Sequence, residues 1–221
     1  MRYVPDKDDL PVSAFTADAM QERVGLFTHF LHQHAPEEVK IPQRLLEHWV
    51  HSDVPKSPLD FIKRLYAAVD IYHQHTITPL AVCRQGCAYC CTNRAVDVTA
   101  AEAVYIHTRT AYRLNRKAEP LRRYLPTVST PCPFLDAHSA QCHIYNVRPL
   151  ACRLLARLDH YHHCHSASTT QGLLTVDSHP IFHSLTQPLQ EISQQLGQAN
   201  NMACVAEIRQ WFTSVPQETQ Q

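Results

Sequence analysis

The sequence predicts a mainly α chain, with helices packed around an irregular, cysteine-rich core that holds at most a small hairpin. Three observations point there. Apolar residues recur at three- and four-residue steps along several stretches, which is the period of one helix face. Glycine is scarce, at 4 of 221 residues, and proline frequent at 15, which argues against a turn-rich β protein. Eight of the nine cysteines lie between Cys83 and Cys164, four of them in Cys83-Arg84-Gln85-Gly86-Cys87-Ala88-Tyr89-Cys90-Cys91. Few chains concentrate thiols this way unless a metal or a disulfide framework holds them. The core is therefore expected to be metal-stapled.

Residues 17–34 carry Met20, Val24, Phe27 and Leu31 on one helix face. Pro42 suits a first helical position, and Leu45, Leu46, Trp49 and Val50 form the next apolar stripe. A third helix is expected with Ser57 as its cap and Pro58 at its start. It would bury Ile62, Leu65, Tyr66 and Val69 and end near His75, because Pro79 disfavours helix just before it. Thr99-Ala100-Ala101-Glu102 has the capping-box spacing, so a fourth helix should open at Thr99 and run towards Lys117. Phe134-Leu135 and His143-Ile144-Tyr145 read as a small hairpin. Pro149 can open a helix carrying Leu154, Leu155 and Leu158, and Leu173 to Val176 reads as a short strand or extended segment. Leu185, Leu189, Ile192 and Leu196 keep helical spacing, with the helix proper starting at Pro188. Met202, Val205, Ile208 and Phe212 predict a last amphipathic helix with Cys204 as a buried, inert thiol on its apolar side.

With 44% hydrophobic residues the chain can bury one sizeable core, and no internal repeat or low-complexity linker divides it. The expected organisation is a single domain over 1–221: N-terminal helices over 1–79, a cysteine-cluster metal-binding core over 80–172, and C-terminal helices over 173–221. Twenty basic and 20 acidic side chains cancel, so no global field favours nucleic acid or an anionic membrane. No apolar run reaches the roughly 18 residues that a membrane span needs. Met1 to Phe15, with Asp6, Asp8 and Asp9, does not read as a secretory signal. These features predict a cytoplasmic protein. Structural disulfides are rare in that compartment, which turns the thiols towards metal.

The offsets of four and three between Cys83, Cys87 and Cys90 would put them on one side of a helix or tight helical turn, with Cys91 at its edge. A structural zinc site usually takes two short-spaced ligand pairs from two segments. Adjacent cysteines fit that poorly because neighbouring side chains diverge, and they fit better where several metal ions are present. Thiolate-only ligation suits both zinc and iron–sulfur clusters. The expected ligands are Cys83, Cys87, Cys90, Cys91, Cys132, Cys142, Cys152 and Cys164. Such a site is strongly negative. Arg84, Arg148 and Arg153 are neighbours of cysteines in sequence, and Arg148, between Cys142 and Cys152, is the candidate to sit around the metal without ligating it.

Over Leu80 to His165 the chain resembles the YkgJ-type cysteine-cluster family, whose CxxCxxCC domain is described as zinc- or iron-chelating. The first block is Cys83, Cys87, Cys90 and Cys91 with Gly86, followed by Val98-Thr99 and Glu102. The second is Cys132-Pro133-Phe134-Leu135, Cys142, Ile144-Tyr145, Arg148-Pro149, Cys152-Arg153 and Cys164; Cys204 falls outside it. The resemblance implies a metal-binding domain. Larger proteins carrying it resemble flagellin-lysine methylases, associated with an iron–sulfur cluster and S-adenosylmethionine, but the flanks of this chain show no match to those. Cys83-x3-Cys87-x-Tyr89-Cys90 is also similar to the radical S-adenosylmethionine motif, in which three thiolates hold a four-iron cluster. Sparse strand signals and few glycines speak against that fold, and Cys91 could fill the open iron.

Two further tracts stand out in the sequence. His160, His162, His163 and His165 surround Cys164 and could add imidazole ligands, against the plainer reading of a polar loop. Arg109, Arg113, Arg116, Lys117, Arg122 and Arg123 read as a solvated face. The leading expectation is a metal-binding protein with a polynuclear cluster, iron–sulfur before zinc, supporting redox or modification chemistry. Its partners are metal ions, with neither membrane nor nucleic acid. The alternative is a zinc-binding structural or partner-recognition module without catalysis, and a third reading is a radical S-adenosylmethionine-like enzyme.

Overall fold

The computed structural model describes residues 44, 57–78, 81–83, 87–120, 129–158, 164, 173–176 and 183–212. About half of these are helical, joined by two small antiparallel sheets. The helices expected over 17–34 and 42–50 lie outside the described residues, Arg44 excepted. No helix among the described residues is long and apolar enough to cross a membrane.

Helix α1, Pro58–Tyr72, starts at the proline and buries Phe61, Ile62, Leu65, Tyr66, Val69 and Tyr72. Ser57 does not cap it through its hydroxyl as expected. Its carbonyl accepts from the amides of Asp60 and Phe61 instead, while Pro58 has no N–H to satisfy. The helix gives way to a π-helical turn over His73–Ile77, so helical backbone continues past the expected end at His75.

Helix α3, Ala100–Arg109, is built as its capping box predicts: the Thr99 hydroxyl accepts from the Glu102 amide and the Glu102 carboxylate accepts from the Thr99 amide. It ends at Arg109 rather than near Lys117. Thr110 is already extended, and its hydroxyl donates to the Ile106 carbonyl at 2.8 Å, closing the last turn. The following backbone is captured elsewhere: Tyr112 buries against Phe134 with ring centroids 4.6 Å apart, and the Asn115 amide donates to the Trp211 carbonyl. Arg109, Arg113, Arg116 and Lys117 are exposed.

Helix α3 lies between two apolar cores, which is why it is buried from Ala100 to Ala103 and at Tyr105 and Ile106. Ala101 and Tyr105 join the core made by α1, Leu150, Leu154, Leu174 and Leu189. Ala100, Ala103 and Ile106 join a second one with Val98, Phe134, Ile144, Ile208, Trp211 and Phe212. Helix α4, Leu150–Leu154, follows Pro149 and stops before Leu155. The chain then extends into β2, Ala156–Arg157, which pairs with β3, Leu173–Leu174.

Helix α5, His183–Asn200, begins five residues before Pro188 and carries that proline inside it, so the expected start is corrected. A proline there forfeits one hydrogen bond near the helix start, where packing of α5 on α3 and α1 compensates. Its C-terminus is a Schellman motif. Asn201 takes φ 52°, Met202 N donates to Gly197 O at 2.8 Å and Asn201 N to Gln198 O at 3.4 Å. A side chain at Gly197 would meet the Met202 carbonyl at 3.0 Å, so glycine lets the returning chain lie against the helix.

That returning chain is not the amphipathic helix predicted from Met202 to Phe212. It is strand β4, Val205–Glu207, then a short helix α6, Ile208–Trp211. β4 pairs with β1, Asp97–Thr99, placing Val98 opposite Ala206. The Trp211 indole donates to the Val98 carbonyl at 2.9 Å. Cys204 lies just before the strand and is an exposed residue rather than a buried one. The expected hairpin is a single Leu135–Cys142 bridge, with His143 N donating to Phe134 O at 2.8 Å.

Candidate metal centre

The first cysteine block is not one helical face. Cys83 and Cys87 lie in non-helical backbone, and only Cys90 and Cys91 are on helix α2, Tyr89–Asn93. What brings Cys83 in is sheet-like pairing to β2: Val82 N donates to Arg157 O at 2.7 Å, and Arg157 N donates to the Cys83 sulfur at 3.4 Å. The result is an open cleft lined by Cys83, Cys87, Cys90 and Cys164, with Arg94 and Arg157 on its wall. Cys164 comes from the histidine tract, whose other residues, His160 to His163 and His165, lie outside the described residues.

The second block is anchored separately. Cys132 N donates to the Cys91 carbonyl at 2.6 Å, tying the two halves of the motif together. Cys132, Cys142 and Cys152 are half-buried and pack against the second core. The backbone of Phe134 and of Ile144, two residues on in each case, pulls the Cys132 and Cys142 thiols down against burial. The strip between them is braced from outside. The Tyr112 hydroxyl is hydrogen-bonded to His143 Nδ1 at 2.9 Å, and His143 Nε2 meets Asp136 Oδ2 at 3.3 Å. Amides of Ser139 and His138, then His143, hold the Asp136 carboxyl down at about 2.

The thiols feel burial and one another. Burial pushes Cys83 and Cys132 up to about 11, raises Cys142, and lifts Cys152 well above the ordinary thiol range. Cys90 and Cys91 have sulfurs 4.0 Å apart. The hydrogen bond from the Cys91 thiol is the main cause that draws Cys90 down to about 7, and the same bond, with burial, pushes Cys91 up. Among the described residues no three His, Cys, Asp or Glu side chains stand close enough to hold a single ion. The donor set itself, thiolate sulfur with amide N–H groups and guanidinium groups around it, fits zinc or an iron–sulfur cluster.

Of the arginines adjacent to cysteines in sequence, Arg84 lies outside the described residues. Arg148 is half-buried, donates to the Tyr145 carbonyl at 2.9 Å and stacks 3.9 Å above the Tyr145 ring. Its charge acts on Cys142 and Cys152, pulling both down against the larger effect of burial. Arg153 is 1% exposed and turned to structural work: it pairs with Asp70, donates to the Arg148 and Asn146 carbonyls, and lies 4.1 Å over the Tyr66 ring.

Sequence reasoning missed Arg209. Its guanidinium pairs with Glu207 and donates to the carbonyls of Thr130, Pro131, Arg94 and Cys91. One side chain from α6 thus ties the end of α2 to the approach to Cys132. Only the Glu207-x-Arg209 pair among apolar residues hinted at it locally.

The sequence model of the CxxCxxCC family, described as a putative zinc- or iron-chelating domain, matches residues 82–172. That match spans all eight clustered cysteines and leaves α1, α5, β4 and α6 outside it. Neither the curated proteins nor the solved structures contain a match to this chain. Over residues 82–172 the chain is thus similar to the zinc- or iron-chelating domains that the CxxCxxCC family model describes.

Proposed function

We propose that this protein binds a polynuclear metal centre, an iron–sulfur cluster before zinc, through Cys83, Cys87, Cys90, Cys91, Cys132, Cys142, Cys152 and Cys164. The observation that carries the reading is the cleft on which Cys164 joins Cys83, Cys87 and Cys90 from a distant part of the chain. The thiols of Cys90 and Cys91, 4.0 Å apart and hydrogen-bonded, add two sulfurs that stand together beside it. Arg94, Arg157 and Arg148 are the cations available to offset the negative charge of the thiolates. An iron–sulfur cluster bound here would supply one-electron redox chemistry. The chain's own residues would ligate it, donate amide N–H groups to sulfur and limit solvent access.

Zinc has one specific observation in its favour. The paired turns at Cys132 and Cys142, each closed by an amide three residues on donating to the cysteine carbonyl, resemble the tight chelating loops that suit a small closed ion site. Anaerobic purification followed by iron, zinc and acid-labile sulfide analysis separates the two. A brown protein with iron and sulfide supports the cluster, and a colourless protein with zinc alone supports the second reading. A protein that takes up neither metal, before or after reconstitution, refutes both.

A further inference from the structure

We infer that Arg94 makes the thiol cleft an entry site for metal carried on a small polycarboxylate: its guanidinium binds a carboxylate of the carrier while the thiols take the ion. This rests on the metal-binding reading above and goes beyond it in naming the form in which the metal arrives. The cleft joins two chemistries. Cys83, Cys87, Cys90 and Cys164 offer sulfur, and Arg94 and Arg157 offer positive charge. No aspartate or glutamate stands among the described residues that line it. A bare divalent cation meets two guanidinium groups there, whereas a chelate with net negative charge is drawn in.

Arg94 differs from the other arginines around the cysteines. The guanidinium of Arg153 is taken by Asp70, that of Arg209 by Glu207, and that of Arg148 by the Tyr145 carbonyl and ring. Among the described residues nothing hydrogen-bonds or ion-pairs with the Arg94 guanidinium, and the residue is half-buried. Its backbone, by contrast, is fixed on both sides. The amide donates to the Cys90 carbonyl at 3.3 Å, ending α2, and the carbonyl accepts from Arg209 Nη1 at 3.3 Å. The side chain therefore starts from a fixed point, and its charge reaches the Cys90 thiol, adding to the larger effect of the Cys91 hydrogen bond. A planar guanidinium matches a carboxylate through two parallel N–H···O bonds. Leu155 and Leu173 in the lining keep the local dielectric low and strengthen that pairing. The ligand exchange needs no further reactant. Each metal–sulfur bond that forms replaces a metal–carboxylate bond, and the thiol proton passes to the freed carboxylate or to the buffer.

Stopped-flow uptake by the intact, metal-free chain tests this through the thiolate-to-cobalt charge-transfer absorption. The two donors are cobalt(II) citrate in excess citrate and cobalt(II) chloride. Arg94→Gln should slow uptake from citrate about fivefold or more and leave uptake from chloride equal or faster. Arg94→Lys keeps the charge but not the fork, and should fall between Arg94→Gln and wild type. Arg116→Gln changes an exposed arginine outside the lining and should match wild type with both donors. Raising the ionic strength from about 0.02 M to about 0.2 M should slow the wild-type citrate route and not the chloride route. Equal slowing of both donors by Arg94→Gln would mean a charge that only offsets thiolates, and it overturns the inference while metal binding stands. Uptake from citrate at the wild-type rate in Arg94→Gln overturns it too. Should Arg94→Gln fail to fold, the salt dependence of the wild type decides, and the same response to salt with both donors overturns the inference. A wild type that takes cobalt from neither donor overturns the metal-binding reading as well.

Discussion

Replacing Glu102 by glutamine should destabilise the protein by about 3 kcal/mol, although the change is a single atom. Glu102 is 2% exposed. One carboxylate oxygen accepts from the Tyr66 hydroxyl at 3.0 Å and the Leu150 amide at 2.7 Å. The other accepts from the Thr99 amide at 3.1 Å and the Thr99 hydroxyl at 2.8 Å. Every partner is a donor, and two are backbone amides that cannot turn away. A glutamine must aim its NH₂ at one of these pairs, so one buried amide loses its acceptor. That alone costs about 1–3 kcal/mol, and the loss of a charged acceptor elsewhere adds about 1.5 kcal/mol or more. The carboxylate also sits in the first turn of α3, where the helix dipole favours it by about 0.5 kcal/mol. Tyr66→Phe removes only one donor and keeps the ring under Arg153, so it should cost about half as much. Urea unfolding followed by circular dichroism, at fixed metal loading, measures both. A Glu102→Gln protein within about 0.5 kcal/mol of wild type would refute the claim that this carboxylate is the junction of α1, α3 and α4.

Arg209→Leu should leave Glu207, whose side chain is 12% exposed, without its cation and free four carbonyls around the cysteines. The expected loss is about 3 kcal/mol, with faster alkylation of Cys132 in the metal-free chain; unchanged stability and unchanged alkylation would both count against it. Metal affinity should rise with pH, because burial keeps Cys83 and Cys132, at about 11, and Cys152 protonated near neutrality, and binding must displace those protons. Zinc competition titrations at about pH 6.5 and about pH 8 should differ clearly, and a flat profile would contradict the thiol assignments. The same raised thiols make the metal-free chain less stable as pH climbs from about 9 to about 11, since unfolded thiols release their protons first.

Local chemistry was legible in the sequence wherever neighbouring residues complete it among themselves. The capping box at Thr99 and Glu102, the proline start of α1 and its stripe of Ile62, Leu65, Tyr66 and Val69 needed no distant partner. The cysteine spacing likewise carries the similarity to the CxxCxxCC family model. Tertiary structure decided what spacing leaves open. Met202 to Phe212 has helical periodicity, yet β4 forms there because β1 presents an unpaired edge beside the Trp211 indole and its Val98 carbonyl. Offsets of four and three among Cys83, Cys87 and Cys90 suit a helix, yet Cys83 is drawn away by backbone pairing to Arg157. Glu102 was readable as a cap but not as the acceptor for Tyr66 and Leu150, and Arg209 was not readable as a clasp at all. A hydrogen bond across 48 or 118 residues depends on where two cores place their elements, and no local pattern in the chain encodes that.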